Sequence, residues 1–563
     1  MWLLFAALSC DDPPVATSLT SDERVNRVSM AIRGVRPSAD ELEVVRHGGD
    51  AALSALVDGW LASDAFGATI RDLHNELFLL RSDLVPMLPE EGPLVGTEVA
   101  DRYASTTESA LRLVEDIVLG GRPYTEIVTA TDFRGDRILA NVYGLEFDDD
   151  GEDLQAMTWM DGRPMAGVLS DSEMWRRHVS NGSNFHRGRA AMVAQALLCD
   201  DFEDRDVVVE GGVDLTNELL VAEMVATQPS CVGCHQTLDP LAGFFWGFKE
   251  QLMGLAVTQA YREGCHWPND LELPPPDGGL PEDFCYPLRL FAPEHELGWM
   301  DWGLREPGYY GESASGLDEL GKRIAEDPRF WDCTTRRFAS FFRQQDIDEL
   351  NVADVARWRK AYLDSGFDAR ELVRAVVLDA EFVDPGDGPL SWLAVRPEAH
   401  ARAIEQLTGF RWRAAPADQG CLENCWRDVD LLTTDLYGFR AMAGGVDSTY
   451  VLRATNTMTP TRALVHMRAG YESAAYVVKA DLAAAVGERR LLGDWETAAP
   501  PTLTRRTIAS LYERILGERI DPDGAEADAA FALFDGTRDV SGPEAGWTLL
   551  TATLLRDARM EYY

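Results

Sequence analysis

The sequence has little positive charge, and almost all of it is arginine. Lys and Arg supply 52 of the 563 residues and Asp and Glu supply 94, which gives a formal net charge of −42. Lysine stands only at Lys249, Lys322, Lys360 and Lys479. Nucleic-acid phosphates and anionic lipid both attract basic faces, so the composition argues against either as a partner. An acidic surface suits plain solubility or the steering of a basic protein partner.

Long hydrophobic runs are also missing. Beyond the N-terminus no segment is apolar for the roughly 20 residues that a membrane-spanning helix requires. The first residues are apolar and end at Cys10, after which the chain turns polar at Asp11-Asp12. This resembles a bacterial lipoprotein signal, in which the cysteine is lipidated, although the run is short and lacks Lys or Arg. We expect an exported lipoprotein, periplasmic or on the cell surface, held to the membrane through Cys10; a random apolar N-terminus is the alternative.

Cysteine is scarce as well, with nine in the chain. Cys10 is the lipidation candidate, and Cys231 and Cys234 belong to the motif described below. Six cysteines remain, and an oxidising compartment favours three disulfides among them. Of the possible pairings, the preferred set is Cys199–Cys333, Cys265–Cys285 and Cys421–Cys425.

Apolar residues are abundant, and in many segments they recur at the spacing of a helix. Hydrophobic residues make up 46% of the chain, with 15 Trp and 22 Phe, which is typical of a globular protein of several domains. Ser38 is a polar helix start before an apolar-periodic run, and segments 187–198 and 217–227 also have helical patterns. We predict a mainly α, multi-module protein. Its expected divisions are a signal and tether at 1–20, an N-terminal helical domain at 21–170, a central domain at 171–330, a helical module at 331–395 and a C-terminal helical domain at 396–563.

One pentapeptide in the central domain carries specific chemistry: Cys231-Val232-Gly233-Cys234-His235. Two thiols held close together can add across the two vinyl groups of haem, and the adjacent histidine can then ligate the iron. The motif therefore predicts one covalently attached haem c, bound through Cys231 and Cys234, with His235 as proximal ligand.

Three other interpretations of the pentapeptide remain open. A thioredoxin-like redox pair requires a preceding strand, whereas the stretch before the motif has a helical pattern followed by an expected turn at Pro229-Ser230. A zinc site requires two further ligands, and Cys265 with His266 is the nearest pair. A plain disulfide between Cys231 and Cys234 leaves His235 without a role.

The second axial ligand of the iron is less constrained by the sequence. Met253 and Met224 are the leading candidates because they lie nearest the motif, and a methionine sulfur raises the reduction potential. Further options are His266, His295, Met300 and Met458. The aromatic residues that follow the motif either wall the haem from water or form ordinary core; they are Phe244, Phe245, Trp246 and Phe248.

The surroundings of the motif resemble the haem module of the planctomycete-type cytochrome c-like protein family. That module reads Cys-x-x-Cys-His, three residues, Asp-Pro and then Gly-Phe, as in residues 231–244 here. Segments 129–144, 165–171 and 187–199 are similar to the family's joining segments. Residues 444–448 are similar to a Gly-Gly-x-Asp-Ser motif of some relatives.

The resemblance implies a function as well as a cofactor. By carry-over, Cys231 and Cys234 are the thioether positions and His235 is the proximal ligand. The family often has Met three residues after the histidine, where this chain has Leu238, so one sulfur near the haem edge is missing. Members look like exported electron-transfer or cell-surface proteins.

We therefore expect an exported c-type haem lipoprotein that transfers single electrons to or from a redox partner protein. Because this chain is strongly acidic, the expected partner is basic. One alternative is a haem enzyme of peroxidase or oxygenase type, which needs an open distal position and an acid/base residue such as His266. The other is a surface binding or scaffold protein in which the haem module is structural.

Overall fold

The computed structural model of the protein describes residues 18–82, 88, 90, 92–180, 184–202, 204–205, 217–249, 286–288, 290–386, 391–414 and 429–563. Within these residues helices dominate and the strands form only two short pairs, which confirms the predicted mainly α class. No helix in these ranges is both long enough and apolar enough to cross a bilayer.

Helices occur in every part of the chain that the structure describes. The first seven are α1 (Ser21–Arg33), α2 (Ala39–Trp60), α3 (Asp64–Phe78), α4 (Val99–Thr107), α5 (Ser109–Leu119), α6 (Arg137–Tyr143) and α7 (Ser172–Arg177). The next eight are α8 (Arg187–Leu198), α9 (Glu218–Thr227), α10 (Pro229–Ala242), α11 (Leu317–Glu326), α12 (Pro328–Arg343), α13 (Val352–Asp364), α14 (Ala369–Val377) and α15 (Ala380–Val383). The C-terminal part contains α16 (Pro397–Thr408), α17 (Phe439–Met442), α18 (Pro460–Ala483), α19 (Pro501–Leu511), α20 (Ala525–Ser541) and α21 (Pro543–Leu555).

Shorter elements connect these helices. The strands β1 (Phe133–Gly135) and β2 (Gln155–Met157) pair antiparallel, as do β3 (Gly308–Tyr309) and β4 (Glu312–Ser313). Tyr512–Leu516 continues α19 as a π-helical turn. The 3-10 turns are Gly92–Leu94, Tyr124–Val128, Gly167–Ser170, Gly243–Phe245, Pro293–His295, Gly298–Met300, Leu436–Gly438 and Ala558–Met560.

Local hydrogen bonds explain where the first two helices begin. The Ser38 hydroxyl accepts the backbone N–H of Glu41 at 3.2 Å, and the Glu41 carboxylate accepts the N–H of Ser38 at 2.7 Å. Thr20 and Glu23 form the same reciprocal capping box at the start of α1. Each box satisfies two backbone donors that the first turn of a helix leaves without partners. The helix start predicted at Ser38 is therefore confirmed.

The buried residues form two main clusters. One continuous cluster extends from Val25 to Leu393, and a second extends from Ile404 to Met560. The first includes residues from the expected divisions at 21–170, 171–330 and 331–395, whose boundaries stay predictions. An ion pair joins α16 to α3 between the clusters, with Arg402 2.5 Å from Asp72.

A disulfide links two helices of the first cluster. Cys199, which caps the C-terminus of α8, is bonded to Cys333 in α12, with 5.4 Å between their Cα atoms. This pairing was predicted and is confirmed. The other two expected disulfides involve Cys265, Cys285, Cys421 and Cys425, all of which lie outside the described residues.

The Gly-Gly-x-Asp-Ser segment has a structural role. Asp447 Oδ1 accepts the backbone N–H groups of Thr449, Tyr450 and Val451, which closes a tight loop. The carbonyl oxygen of Ser448 accepts a hydrogen bond from Arg177 at the end of α7. The motif therefore anchors the C-terminal part of the chain against the central part.

Candidate functional site

The pentapeptide lies entirely within α10. Gln228 alone separates this helix from α9, and its extended backbone (φ −78°, ψ 124°) breaks the helical path. Pro229 takes the first helical position, where a missing N–H leaves no hydrogen bond unmade. The turn expected at Pro229-Ser230 is therefore wrong, because these residues form the first turn of α10. A helix, and not a strand, precedes the motif, so the context of a thioredoxin-like pair is not present.

Helical spacing brings the three reactive side chains together. Cys231, Cys234 and His235 stand at positions i, i+3 and i+4, which share one face of a helix. This face borders a cavity of about 310 Å³. The cavity is lined by Asn184, Arg187, Gly188, Ala191, Phe202, Ser230, Cys231, Cys234, His235 and Leu238. Both motif cysteines are partly exposed and neither is in a disulfide.

His235 is oriented by an acidic partner one helical turn away. Its Nδ1 lies 2.8 Å from Oδ1 of Asp239. Burial acts to raise the pKa of the Asp239 carboxyl, but hydrogen bonds from His235 and Arg187 outweigh it and lower the pKa. An ionised carboxylate only accepts hydrogen bonds, so Nδ1 carries the proton. The other ring nitrogen, Nε2, makes no hydrogen bond within the described part of the chain and is available as a ligand.

Arg187, on α8, also lines the cavity and completes this network. Its Nε donates to Asp239 Oδ1 at 2.7 Å and a terminal nitrogen donates to Oδ2 at 3.2 Å. Arg187 is the first residue of α8, which packs against α10. The Cys199–Cys333 disulfide fixes the other end of α8. The helix that holds Arg187 is thus tied to the core independently of the cavity.

A second arginine lies beside Cys234. Arg205 donates to Asp200 Oδ1 at 2.5 Å and also reaches the Cys234 thiol. The hydrogen bond to Asp200 is the main reason that the pKa of Arg205 is raised. Tyr310 donates to the other oxygen of Asp200 at 2.7 Å. Two arginines, Arg187 and Arg205, therefore lie close to the motif residues, and each is paired with a carboxylate.

The other predicted site residues are placed as follows. Met224 is in α9, partly exposed, and is not among the residues that line the cavity. Met300 and Met458 are 55% and 37% exposed, and neither lines the cavity. Met253, His266 and Cys10 lie outside the described residues, so the distal-ligand and lipidation predictions stay predictions. The described ranges contain no cluster of three or more His, Cys, Asp or Glu side chains that could hold a metal ion.

Three of the aromatic residues after the motif are core. Phe244, Phe245 and Phe248 are nearly fully buried, and Phe245 packs 4.6 Å from Trp175 between ring centroids. Trp246 instead packs against His186. None of them borders the cavity in the described chain, where the aromatic wall is Phe202.

The sequence interpretation assigned no role to Asp239 and did not name Arg187 as a site residue. The signal for Asp239 was present, because position i+4 from His235 faces the same side of any helix. Arg187 gave no such signal, since its contact with Asp239 depends on the packing of α8 against α10, 52 residues apart.

Two thiols outside any disulfide and an imidazole with a free Nε2, all on one face beside a cavity, form the donor set that covalent haem attachment requires. The described residues therefore fit that group. Compared with protein families, curated proteins and solved structures, the chain matches none of them.

Proposed function

We propose that this protein is a c-type haem protein that transfers single electrons. The observation that carries the proposal is the shared placement of Cys231, Cys234 and His235 on one face of α10 at the cavity. Addition of each thiol S–H across a vinyl group would form the two thioether bonds. His235 Nε2 would supply the proximal ligand. A bound haem would supply reversible one-electron chemistry that no protein side chain here offers.

The surrounding residues would hold this group in a fixed geometry. Asp239 fixes the tautomer and the ring orientation of His235, as carboxylates commonly do for metal-bound histidines. Arg187, which lines the cavity, would place positive charge beside a carboxylate group of a ligand bound there. Phe202 and Leu238 exclude water along the apolar part of the cavity wall.

We further propose that the protein is exported, as its resemblance to the planctomycete-type cytochrome c-like family implies, and lipid-anchored, as the apolar N-terminus that ends at Cys10 predicts. The Cys199–Cys333 disulfide supports an oxidising compartment, because such bonds are rare in reducing cytosol. The net charge of −42 supports a basic redox partner, which long-range attraction would steer to the surface.

Haem attachment tests the proposal directly. The full chain, made in cells with a c-type maturation system, should keep haem through denaturing electrophoresis, as shown by a haem stain of the gel. Peptide mapping by mass spectrometry should place the added mass of the haem on residues 231 and 234. The double variant Cys231→Ala, Cys234→Ala should give no haem stain. Cys199→Ala with Cys333→Ala is the matched control, since it also removes two cysteines but leaves α10 unchanged. A parent protein that loses all haem on denaturation would contradict the proposal.

One observation favours a second function, a haem enzyme of peroxidase or oxygenase type. A buried carboxylate that accepts from the proximal histidine makes that ligand more basic, and stronger electron donation to iron favours O–O cleavage. Asp239 is in that position. Prompt binding of carbon monoxide and turnover of peroxide would support this function over electron transfer.

A further inference from the structure

Asp239 accepts hydrogen bonds from two residues with different chemical roles. Oδ1 accepts both His235 Nδ1 at 2.8 Å and Arg187 Nε at 2.7 Å, and Oδ2 accepts a second Arg187 nitrogen at 3.2 Å. Only 9% of the Asp239 side chain is exposed. Water therefore competes little for this carboxylate, and its charge is shared between one imidazole and one guanidinium.

We infer that Asp239 and Arg187 are positioning residues that shift the reduction potential of the proposed haem in opposite directions. The inference rests on the proposed function and adds which residues tune it. Asp239 acts through His235, because a proton drawn toward the carboxylate leaves more electron density on Nε2. Arg187 acts through Asp239, because its two N–H groups draw that carboxylate's charge away from the imidazole.

The sign of each effect follows from charge. A more electron-rich His235 stabilises the oxidised, more positive state of the metal, so Asp239 lowers the midpoint potential. Arg187 weakens this donation and its own positive charge favours the added electron, so Arg187 raises the potential. The two residues are in contact, yet their removal is expected to shift the potential in opposite directions.

Spectroelectrochemical titration of the haem-loaded full chain at fixed pH measures the midpoint potential of each variant. Asp239→Asn keeps the side-chain shape and removes the charge, and it should raise the midpoint potential. Arg187→Gln should lower it. We expect each change to alter the reduction equilibrium at least tenfold, which corresponds to about 59 mV for a one-electron couple. Asp239→Glu, which keeps the carboxylate, should restore a potential near that of the parent.

A control variant and a second measurement distinguish an effect on the midpoint potential from a structural disturbance. Asp200→Asn removes another carboxylate near the motif that bonds Arg205 and Tyr310 but not His235, so it should leave the EPR spectrum of the ferric protein unchanged. Asp239→Asn should change that spectrum. If Asp239→Asn fails to fold, Arg187→Gln decides the question by a lowered midpoint potential, and Asp239→Glu by a midpoint potential near that of the parent.

Three results would overturn the inference. Shifts of Asp239→Asn and Arg187→Gln in the same direction would indicate a common structural disturbance. An unchanged potential in either variant, with haem still attached, would remove that residue from the tuning scheme. A parent that holds no covalent haem would refute the proposed function and the inference with it, whereas a haem-loaded parent with unshifted variants would refute the inference alone.

Discussion

Cys199 and Cys333 are joined by a disulfide that links the C-terminus of α8 to α12, and the first residue of α8, Arg187, donates a hydrogen bond to Asp239 of α10. Cross-linking residues 134 apart restricts the unfolded chain strongly. The bond therefore stabilises the same helix that supplies one wall of the site.

Removal of this disulfide should destabilise the protein and leave the proposed haem attachment at Cys231 and Cys234 intact. We expect Cys199→Ala with Cys333→Ala to lower the free energy of unfolding by about 2–5 kcal/mol, measured by urea denaturation under oxidising conditions. The parent should still carry a Cys199–Cys333 linked peptide in a non-reduced digest. An unchanged urea midpoint, or thiol labelling of both cysteines in the folded parent, would contradict this.

Local sequence patterns predicted the elements around the site well. The helix expected at 187–198 is α8, and the helix expected at 217–227 is α9 with Asn217 as its cap, because its side chain accepts from Leu220 N–H. Amphipathic spacing and capping residues act within a few positions of each other. The sequence alone is therefore enough to predict where such helices begin, as it also does for α2 at its capping residue Ser38.

Contacts between distant segments could not be predicted in this way. The bond from Arg187 to Asp239 and the contact of Phe202 with the cavity depend on how α8 packs against α10. Neither residue belongs to a local pattern that distinguishes it from the chain's other Arg or Phe residues. The disulfide between Cys199 and Cys333 was the exception, since the requirement to pair six cysteines limits the choices.

Acid should destabilise the C-terminal core through His400. This ring is fully buried and stacks on His466 with 4.1 Å between centroids, and burial lowers the pKa of His400 to about 4. The unfolded chain binds a proton at this residue near pH 6.5, whereas the folded chain does not. The stability that His400 contributes is thus complete above pH 6.5 and is lost as the pH falls toward 4.

Replacement of His400 by Phe should therefore make the free energy of unfolding less dependent on pH. We expect the drop in unfolding free energy between pH 7.5 and pH 4.5 to be smaller in His400→Phe than in the parent by about 2.5 kcal/mol. Urea denaturation at both pH values measures it. His47→Phe is the control, because His47 is exposed on α2 and water surrounds its ring in either state. Equal pH dependence in His400→Phe and the parent would contradict the prediction.

Membrane attachment should depend on Cys10. Lipidation of this residue would give the exported chain its membrane contact, so the intact protein should fractionate with membranes and be released by detergent. Cys10→Ala should appear in the soluble fraction or remain unprocessed. Mass spectrometry that finds an unmodified Met1, or cleavage at another position, would refute the lipoprotein prediction.

The last prediction concerns the second axial ligand. A haem that only relays electrons should keep six ligands in both oxidation states, because exchange of a ligand would add reorganisation to each transfer. We therefore expect a low-spin haem with His235 and a methionine, which does not bind carbon monoxide at neutral pH. Met224 lies in α9 and does not line the cavity, so we expect Met253 to supply the sulfur.

Single substitutions decide between these methionines. Met253→Ala should give a high-spin ferrous spectrum that shifts promptly when carbon monoxide is added, while Met224→Ala, the matched control on α9, should keep the spectrum of the parent. Conversion by Met224→Ala instead would require the Met224 side chain, which does not line the cavity here, to turn into it when haem is bound. If neither variant converts, the ligand comes from farther along the chain, with Met458 the next residue to replace. A parent that already binds carbon monoxide would have an open distal position, and the carboxylate of Asp239 would then serve the peroxidase or oxygenase chemistry of the second candidate function.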